Sequence, residues 1–189
     1  MANIYLVVGS VTGTATAVAA TLKNDIEAAG HTVVVDQQAS LAALNANEWD
    51  ALLVCTSTTG RGNIPQNLRE FYNELDASRT LIPAIKYGIV ALGSSAHTNF
   101  CGAGVSFEVL LEDSSAQCLV PKVTIDATET KTPDRDAKFW LKEFLAALLY
   151  QRLSCLKAVL KLHCCFVRNV GYSRRRATVP SALQLPLKM

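Results

Sequence analysis

The stretch Ile4-Tyr5-Leu6-Val7-Val8-Gly9-Ser10-Val11-Thr12-Gly13-Thr14-Ala15-Thr16 changes character in the middle. Its first five residues form an unbroken apolar run, which suits a strand buried on both faces. Gly9 punctuates the run, and hydroxyl residues and a second glycine follow. From Thr14 onward, Val18, Leu22 and Ile26 recur at helical spacing, and Gly30 stands where a C-terminal cap belongs. A strand that runs through a hydroxyl-rich loop into a helix can bind an anion, because the unpaired N–H groups of the first helical turn converge there. The loop has no lysine, so it is not G-x-x-x-x-G-K-[ST]. With Gly9 and Gly13 alone it is not G-x-G-x-x-G. Two readings of this loop stay open: a phosphate held by hydroxyls and amides without a cation, or a plain strand-to-helix turn.

The same alternation continues along the chain. Strands are expected at Thr32–Val35, Ala51–Cys55, Tyr87–Leu92 and Cys118–Ile125. Helices are expected after Pro65, with Leu68, Phe71, Tyr72 and Leu75 inward, and over Gly102–Ser115, with Phe107, Leu110 and Leu111 inward. A short helical piece fits Ser40–Leu44. Thr132-Pro133-Asp134 reads as a cap, a first-turn proline and a first-turn acid, and opens a last helix carrying Phe139, Trp140, Phe144, Leu145 and Leu148. This order predicts an α/β fold, a doubly wound parallel sheet covered by helices on both faces. Ligands of such sheets bind beyond the carboxyl ends of the strands, which directs attention to the loops after the first, third and fourth strands.

Those last two loops read Thr56-Ser57-Thr58-Thr59-Gly60-Arg61-Gly62-Asn63 and Gly93-Ser94-Ser95-Ala96-His97-Thr98-Asn99-Phe100-Cys101-Gly102. The first can lie close to a flat ligand and hydrogen-bond its edge. The second offers a planar side chain, His97, among small polar residues. Long polar loops at one end of a sheet, one of them ready for phosphate, form a candidate binding site together.

With G-S-V-T-G-T-A, S-T-T-G-R-G-N-I-P-Q-N-L and A-L-G-S-S-A-H-T-N-F-C-G-A at these places, residues 1 to about 149 resemble the short-chain flavodoxins, of the MioC type. The resemblance implies a flavodoxin-like five-stranded parallel sheet in order 2-1-3-4-5 and FMN as cofactor. It further implies a soluble, cytoplasmic, low-potential electron carrier serving a reductase and an acceptor enzyme, with no catalytic residues and no metal. By position, Ser10, Val11, Thr12, Gly13, Thr14 and Ala15 would hold the FMN phosphate. Thr58, Thr59, Gly60, Arg61 and Gly62 would line one side and edge of the isoalloxazine. Gly93, Ser94, His97, Asn99, Phe100 and Cys101 belong to the loop on its other face, although Cys101 also suits plain packing at a helix start. The chain departs from the family at Ala15, where many members have Thr, and at His97, where a stacking Tyr is usual. Arg61 stands where an acid is common and Thr59 where an aromatic is frequent. Two other functions fit the same loops: an FMN-dependent quinone or small-acceptor reductase, and a flavodoxin-like interaction module that has lost FMN.

Charge divides the chain. Residues 1–150 carry 16 acids and 10 bases, net −6, while residues 151–189 carry 8 bases and no acid, net +8. The acidic body disfavours nucleic acid and suits redox partners with basic docking faces. A monomer is expected. The basic segment 150–189 has Leu153, Leu156, Val159 and Leu160 at helical spacing, so the last helix is expected to run to about Val167. Gly171, Arg174-Arg175-Arg176 and Pro180 suggest a flexible end, able to lie on a membrane surface or to be without function. No apolar stretch approaches the roughly 18 residues of a spanning helix, and the N-terminus reads as a strand rather than a signal peptide. The six cysteines lack any C-x-x-C pair and are expected to be reduced. Trp49 and Trp140 are expected in the core or at its rim, and His163-Cys164-Cys165 lacks a second ligand pair for zinc.

Overall fold

The computed structural model describes residues 1–78, 81–82 and 84–170, with side chains through Ser154. Its elements are β1 (Asn3–Gly9), α1 (Thr14–Ala28), β2 (Thr32–Asp36), α2 (Leu41–Asn45), β3 (Ala51–Ser57), α3 (Gln66–Ser78), β4 (Lys86–Gly93), α4 (Gly102–Asp113), β5 (Gln117–Cys118), β6 (Val123–Asp126) and α5 (Pro133–Val170). A first compact unit spans Met1–Gln151. Gly171, Arg174-Arg175-Arg176 and Pro180 lie outside the described residues, as do the side chains of Leu156, Val159, Leu160 and His163-Cys164-Cys165.

Every strand pairing is parallel, in the order β2-β1-β3-β4 with β5 and β6 both on the far edge of β4. The apolar run of β1 sits at the centre and divides by parity, as side chains of a strand must. Ile4, Leu6 and Val8 point into a layer shared with Val18, Leu22 and Ile26 of α1 and Trp140 and Phe144 of α5. Tyr5 and Val7 point into the opposite layer, with Leu68 and Phe71 of α3 and Phe107 and Leu111 of α4. Phe71, Phe107 and Phe144 are fully buried, and each stabilises the fold by about 1.5–3 kcal/mol relative to exposure. Gly30 caps α1 as the sequence predicts: at φ +81 its N–H donates to Glu27 O at 2.9 Å, and the His31 N–H donates to Ile26 O at 3.2 Å.

One element differs from the sequence reading. The single strand expected over Cys118–Ile125 is broken. The registers Tyr87↔Cys118 and Val90↔Val123 leave Gly88 and Ile89 facing Leu119, Val120, Pro121 and Lys122. Pro121 has no N–H for the ladder, and four residues on this edge stand against two on β4. The Pro121 carbonyl turns instead to Trp140, whose Nε1 donates to it at 2.7 Å. The Phe144 and Trp140 rings fill the space over Gly88, where a Cβ would lie 2.7 Å from both. The fifth position of the sheet is therefore two short segments on one neighbour, and the order 2-1-3-4-5 holds.

Both tryptophans are structural. Trp49 stacks on Tyr5 with centroids 4.9 Å apart, and Trp140 stacks on Phe144 at 5.4 Å. No disulfide occurs among the described cysteines, and the described residues form no cluster able to hold a metal. No helix of the described residues is long and apolar enough to cross a membrane.

Candidate functional site

Because β1, β3 and β4 run parallel, the loops that leave them emerge at one end of the sheet. There they border a cleft of about 360 Å³. Thr12 and Thr14 contribute to it from the first loop, Ser57 and Thr58 from the second, and Gly93, Ser94 and His97 from the third. Leu92, Ile125, Ala127, Thr130 and Pro133 complete its wall. His97 is the one ionisable side chain in this lining.

The first loop is shaped by its own polar groups. The Ser10 hydroxyl accepts the Gly13 N–H at 3.0 Å, and the Thr12 and Thr14 hydroxyls lie 3.4 Å apart. The first helical bond of α1 is Ala17 N–H to Gly13 O at 3.0 Å, so the N–H groups of Thr14, Ala15 and Thr16 have no partner within the helix. No side chain caps Gly13, and the opening of α1 stays ready for an anion. Val11 is 64% exposed. Ala15 is fully buried in the core, and its carbonyl accepts the Cys55 thiol at 3.5 Å. Its side chain therefore faces away from the loop, and only its N–H is available to a ligand. The methyl at this position fits the packing against Cys55.

The second loop doubles back. Thr59 and Asn63 exchange N–H···O bonds at 3.0 and 2.8 Å, and the Thr59 hydroxyl donates to the Asn63 carbonyl at 3.1 Å. The turn between them holds Gly60, Arg61 and Gly62, with Arg61 exposed. The Thr58 N–H is tied to Leu92 O at 2.9 Å, whereas its hydroxyl oxygen is buried without a hydrogen-bond partner among the described residues. An orphaned buried hydroxyl is costly, and this one borders the cleft.

The third loop packs on the second. Asn99 Nδ2 donates to Arg61 O at 2.6 Å. Phe100 is half-buried against the apolar layer under α3 and α4. Cys101 is fully buried and donates its thiol to Ala91 O at 3.4 Å. Its side chain is core, as the packing reading allowed. Burial pushes this thiol up to about 11 and that of Cys55 up to about 12. Of the residues chosen from sequence, the cleft thus gathers Thr12, Thr14, Thr58, Gly93, Ser94 and His97. Ser10, Val11, Gly13, Ala15, Thr59, Gly60, Arg61, Gly62, Asn99, Phe100 and Cys101 lie in the same three loops without forming its lining.

The flavodoxin family pattern matches residues 6–140. The chain belongs to the flavodoxin family. It is 32% identical over 144 residues to flavodoxin YqcA of Escherichia coli K12, covering 76% of this chain and 97% of that one. It is 34% identical over 149 residues to protein MioC of the same strain, covering 78% and 99%. The solved structure of a C101S mutant of flavodoxin from Pseudomonas aeruginosa superposes with a TM-score of 0.73 at 36% identity, covering 77% of this chain and 98% of that one. Membership implies FMN binding and electron transfer, and flavodoxins are typically carriers rather than enzymes.

The cleft suits FMN on its own terms. Hydroxyls and free helical N–H groups stand at one end for a phosphate, and the Thr58 hydroxyl lacks a partner. Leu92 and Ile125 present apolar wall to a flat ring. Several contributors were not chosen from sequence. Ser57 and Leu92 lie at strand ends beside chosen residues. Ile125 lies in β6, and Ala127, Thr130 and Pro133 in the turn after it and at the start of α5, a stretch that the sequence reads as strand and helix cap and not as site.

Proposed function

We propose that this chain is a low-potential FMN electron carrier that passes electrons between a reductase and an acceptor enzyme. The observation that carries this reading is the convergence of three loops on one cleft. Hydroxyls border an open helix start, a buried hydroxyl lacks a partner, and no acid, lysine or thiol lines the wall. A cleft with one ionisable side chain, His97, is poorly equipped for acid–base or nucleophilic work on a substrate.

FMN, when bound, supplies the one-electron chemistry. The chain's own residues bind, orient and shield it. The Ser10, Thr12 and Thr14 hydroxyls and the first-turn N–H groups of α1 receive the phosphate. With FMN bound, the Thr58–Gly62 turn would border the ring edge and His97 would face the ring from the loop after β4. Leu92 and Ile125 limit water. The net −6 of residues 1–150 fits partners with basic docking faces, attracted in a salt-sensitive way. We place this work in the cytoplasm and in a monomer.

The absorption spectrum of the purified protein tests the reading. A flavin spectrum, with FMN released on denaturation, is expected. A colourless protein that also ignores added FMN overturns the proposal in favour of an interaction module. Oxidation of NAD(P)H by the flavin-loaded protein without a partner reductase would instead identify a small-acceptor reductase.

A further inference from the structure

Asp126 ends β6, and it is 8% exposed. One of its oxygens, Oδ1, accepts two backbone N–H groups: Ser95 at 3.1 Å and Thr128 at 2.9 Å. The Ser95 and Thr128 hydroxyls lie 2.9 Å apart, and the Ala127 N–H donates to Gly93 O at 2.9 Å. The loop after β4 is thereby fastened to the turn after β6. Both fastened segments face the cleft. Ile125 and Ala127, on either side of Asp126, line it, and so do Ser94 and His97, on either side of Ser95.

No ion pair involves Asp126 among the described residues. Hydrogen bonds from the Ser95 side chain and the Thr128 N–H hold its carboxyl well below the usual carboxylate range. The charge is thus maintained by neutral donors, and no cation cancels it. Around His97 itself, the loop's own bonds are local. The His97 N–H donates to Ser94 O at 3.1 Å, and the Ala96 N–H donates to the Ser94 hydroxyl at 3.3 Å. These bonds curl the loop around His97, while its far end is held separately, by Asn99 to Arg61 O and by the Cys101 thiol to Ala91 O.

We propose that Asp126 is the positioning residue of the His97 loop, and that its carboxylate places a fixed negative charge behind the cleft wall that disfavours the anionic reduced flavin. The second half rests on the FMN reading above; the first stands on the hydrogen bonds alone. Coulomb repulsion from a charge held by neutral dipoles, without a counter-ion, is felt by any anion that forms nearby.

Two substitutions separate the roles in the full-length chain. Asp126→Asn keeps an oxygen for the Ser95 and Thr128 N–H groups, and the neighbouring hydroxyls can accept from the new amide, but the charge is gone. Asp126→Ala removes both charge and anchor. In protein without flavin, amide hydrogen exchange at Ser95 and Thr128 is expected to quicken at least about tenfold in Asp126→Ala and to change less than about threefold in Asp126→Asn. The FMN Kd should rise about tenfold in the alanine variant and stay within about threefold in the asparagine variant. Potentiometric titration of Asp126→Asn should show the reduced flavin favoured about tenfold over wild type, equal to about 59 mV for one electron. A merely structural residue would not give that shift with an unchanged Kd. Unchanged exchange and Kd in Asp126→Ala overturn the anchoring role. An unchanged potential in Asp126→Asn overturns the electrostatic one. A wild-type protein that binds no FMN removes the flavin reading and the electrostatic role with it, while the exchange data still decide the anchor.

Discussion

The side-chain oxygen of Asn67, at the start of α3, accepts the backbone N–H of Ser10 at 3.2 Å, so the candidate phosphate loop is held from a different helix than the one it opens. The amide nitrogen of the same residue donates to Val8 O at 2.7 Å and to Gln37 O at 2.8 Å. Asn67 therefore joins the ends of β1 and β2 to α3. Replacing it with alanine leaves the Ser10 N–H and two carbonyls without these partners. At roughly 0.5–1.5 kcal/mol per net bond, with water replacing part of the loss, Asn67→Ala should destabilise the protein by about 1–3 kcal/mol and loosen FMN binding. Urea unfolding and FMN titration check this. If neither changes, the loop is held by the Ser10–Gly13 contact alone.

The contact between the second and third loops makes a sharper steric prediction. Gly62 has φ +98, and a Cβ there would lie 2.6 Å from Asn99 Cβ. That atom is no flexible tip, so the loops must separate. Gly62→Ala should cost about 1–3 kcal/mol from the backbone conformation alone, with further loss as the Asn99–Arg61 bond opens. Gly60→Ala is the control, since its nearest neighbour would be 3.5 Å away at φ +54. Thermal unfolding and FMN affinity of the two variants should differ, Gly62→Ala being the worse in both. Equal effects would mean that strain, and not the loop contact, governs the turn.

The fold was legible from sequence because each signal was local. The apolar runs of β1, β3 and β4, the Gly30 cap and the Thr132-Pro133 helix start need no tertiary information. The broken fifth strand was not legible, because Pro121 finds its carbonyl partner in Trp140, 19 residues away, and a short apolar run does not record its own register. The site divides in the same way. Thr12, Thr14, Thr58 and His97 announce themselves by residue type on loops after buried strands. Ala15 and Cys101 sit in the same motifs, but their side chains turn inward, and motif position does not specify side-chain direction. Asn67 and Asp126 were missed for the opposite reason: each acts through bonds to distant backbone, Asn67 from the helical end of a marked motif and Asp126 from the end of an unmarked strand.

The buried thiols give a pH prediction. Burial raises Cys55 to about 12 and Cys101 to about 11, whereas an unfolded cysteine titrates near about 8.5. Below about pH 8.5 both thiols are neutral in either state, and neither weakens the fold. As pH rises from about 8.5 toward the folded values, the unfolded chain ionises first, and stability falls. The urea midpoint should therefore drop between pH 8 and 10, and less in a Cys55→Ala variant measured against its own pH 8 value. Peptide-resolved alkylation of the native protein at pH 8 should mark the exposed Cys118 and spare Cys55 and Cys101. Rapid native labelling of Cys101 would show that the loop after β4 opens far more readily than its packing implies.

The last prediction concerns where the FMN phosphate sits. Thr12 and Thr14 line the cleft with hydroxyls 3.4 Å apart, and the Ser10 hydroxyl already accepts the Gly13 N–H, which leaves its own proton free to donate outward. Each hydroxyl given to a dianion is a charge-assisted bond, and losing one should cost roughly 1.5–3 kcal/mol, or about 10- to 150-fold in Kd. Thr12→Ala should show this loss for FMN and little of it for riboflavin, which has the ring without the phosphate. Ser10→Ala should weaken FMN as well and also destabilise the loop, because the Gly13 N–H loses its acceptor. Calorimetric titration of both ligands into both variants separates these effects. If Thr12→Ala weakens FMN and riboflavin equally, the phosphate does not lie at the start of α1.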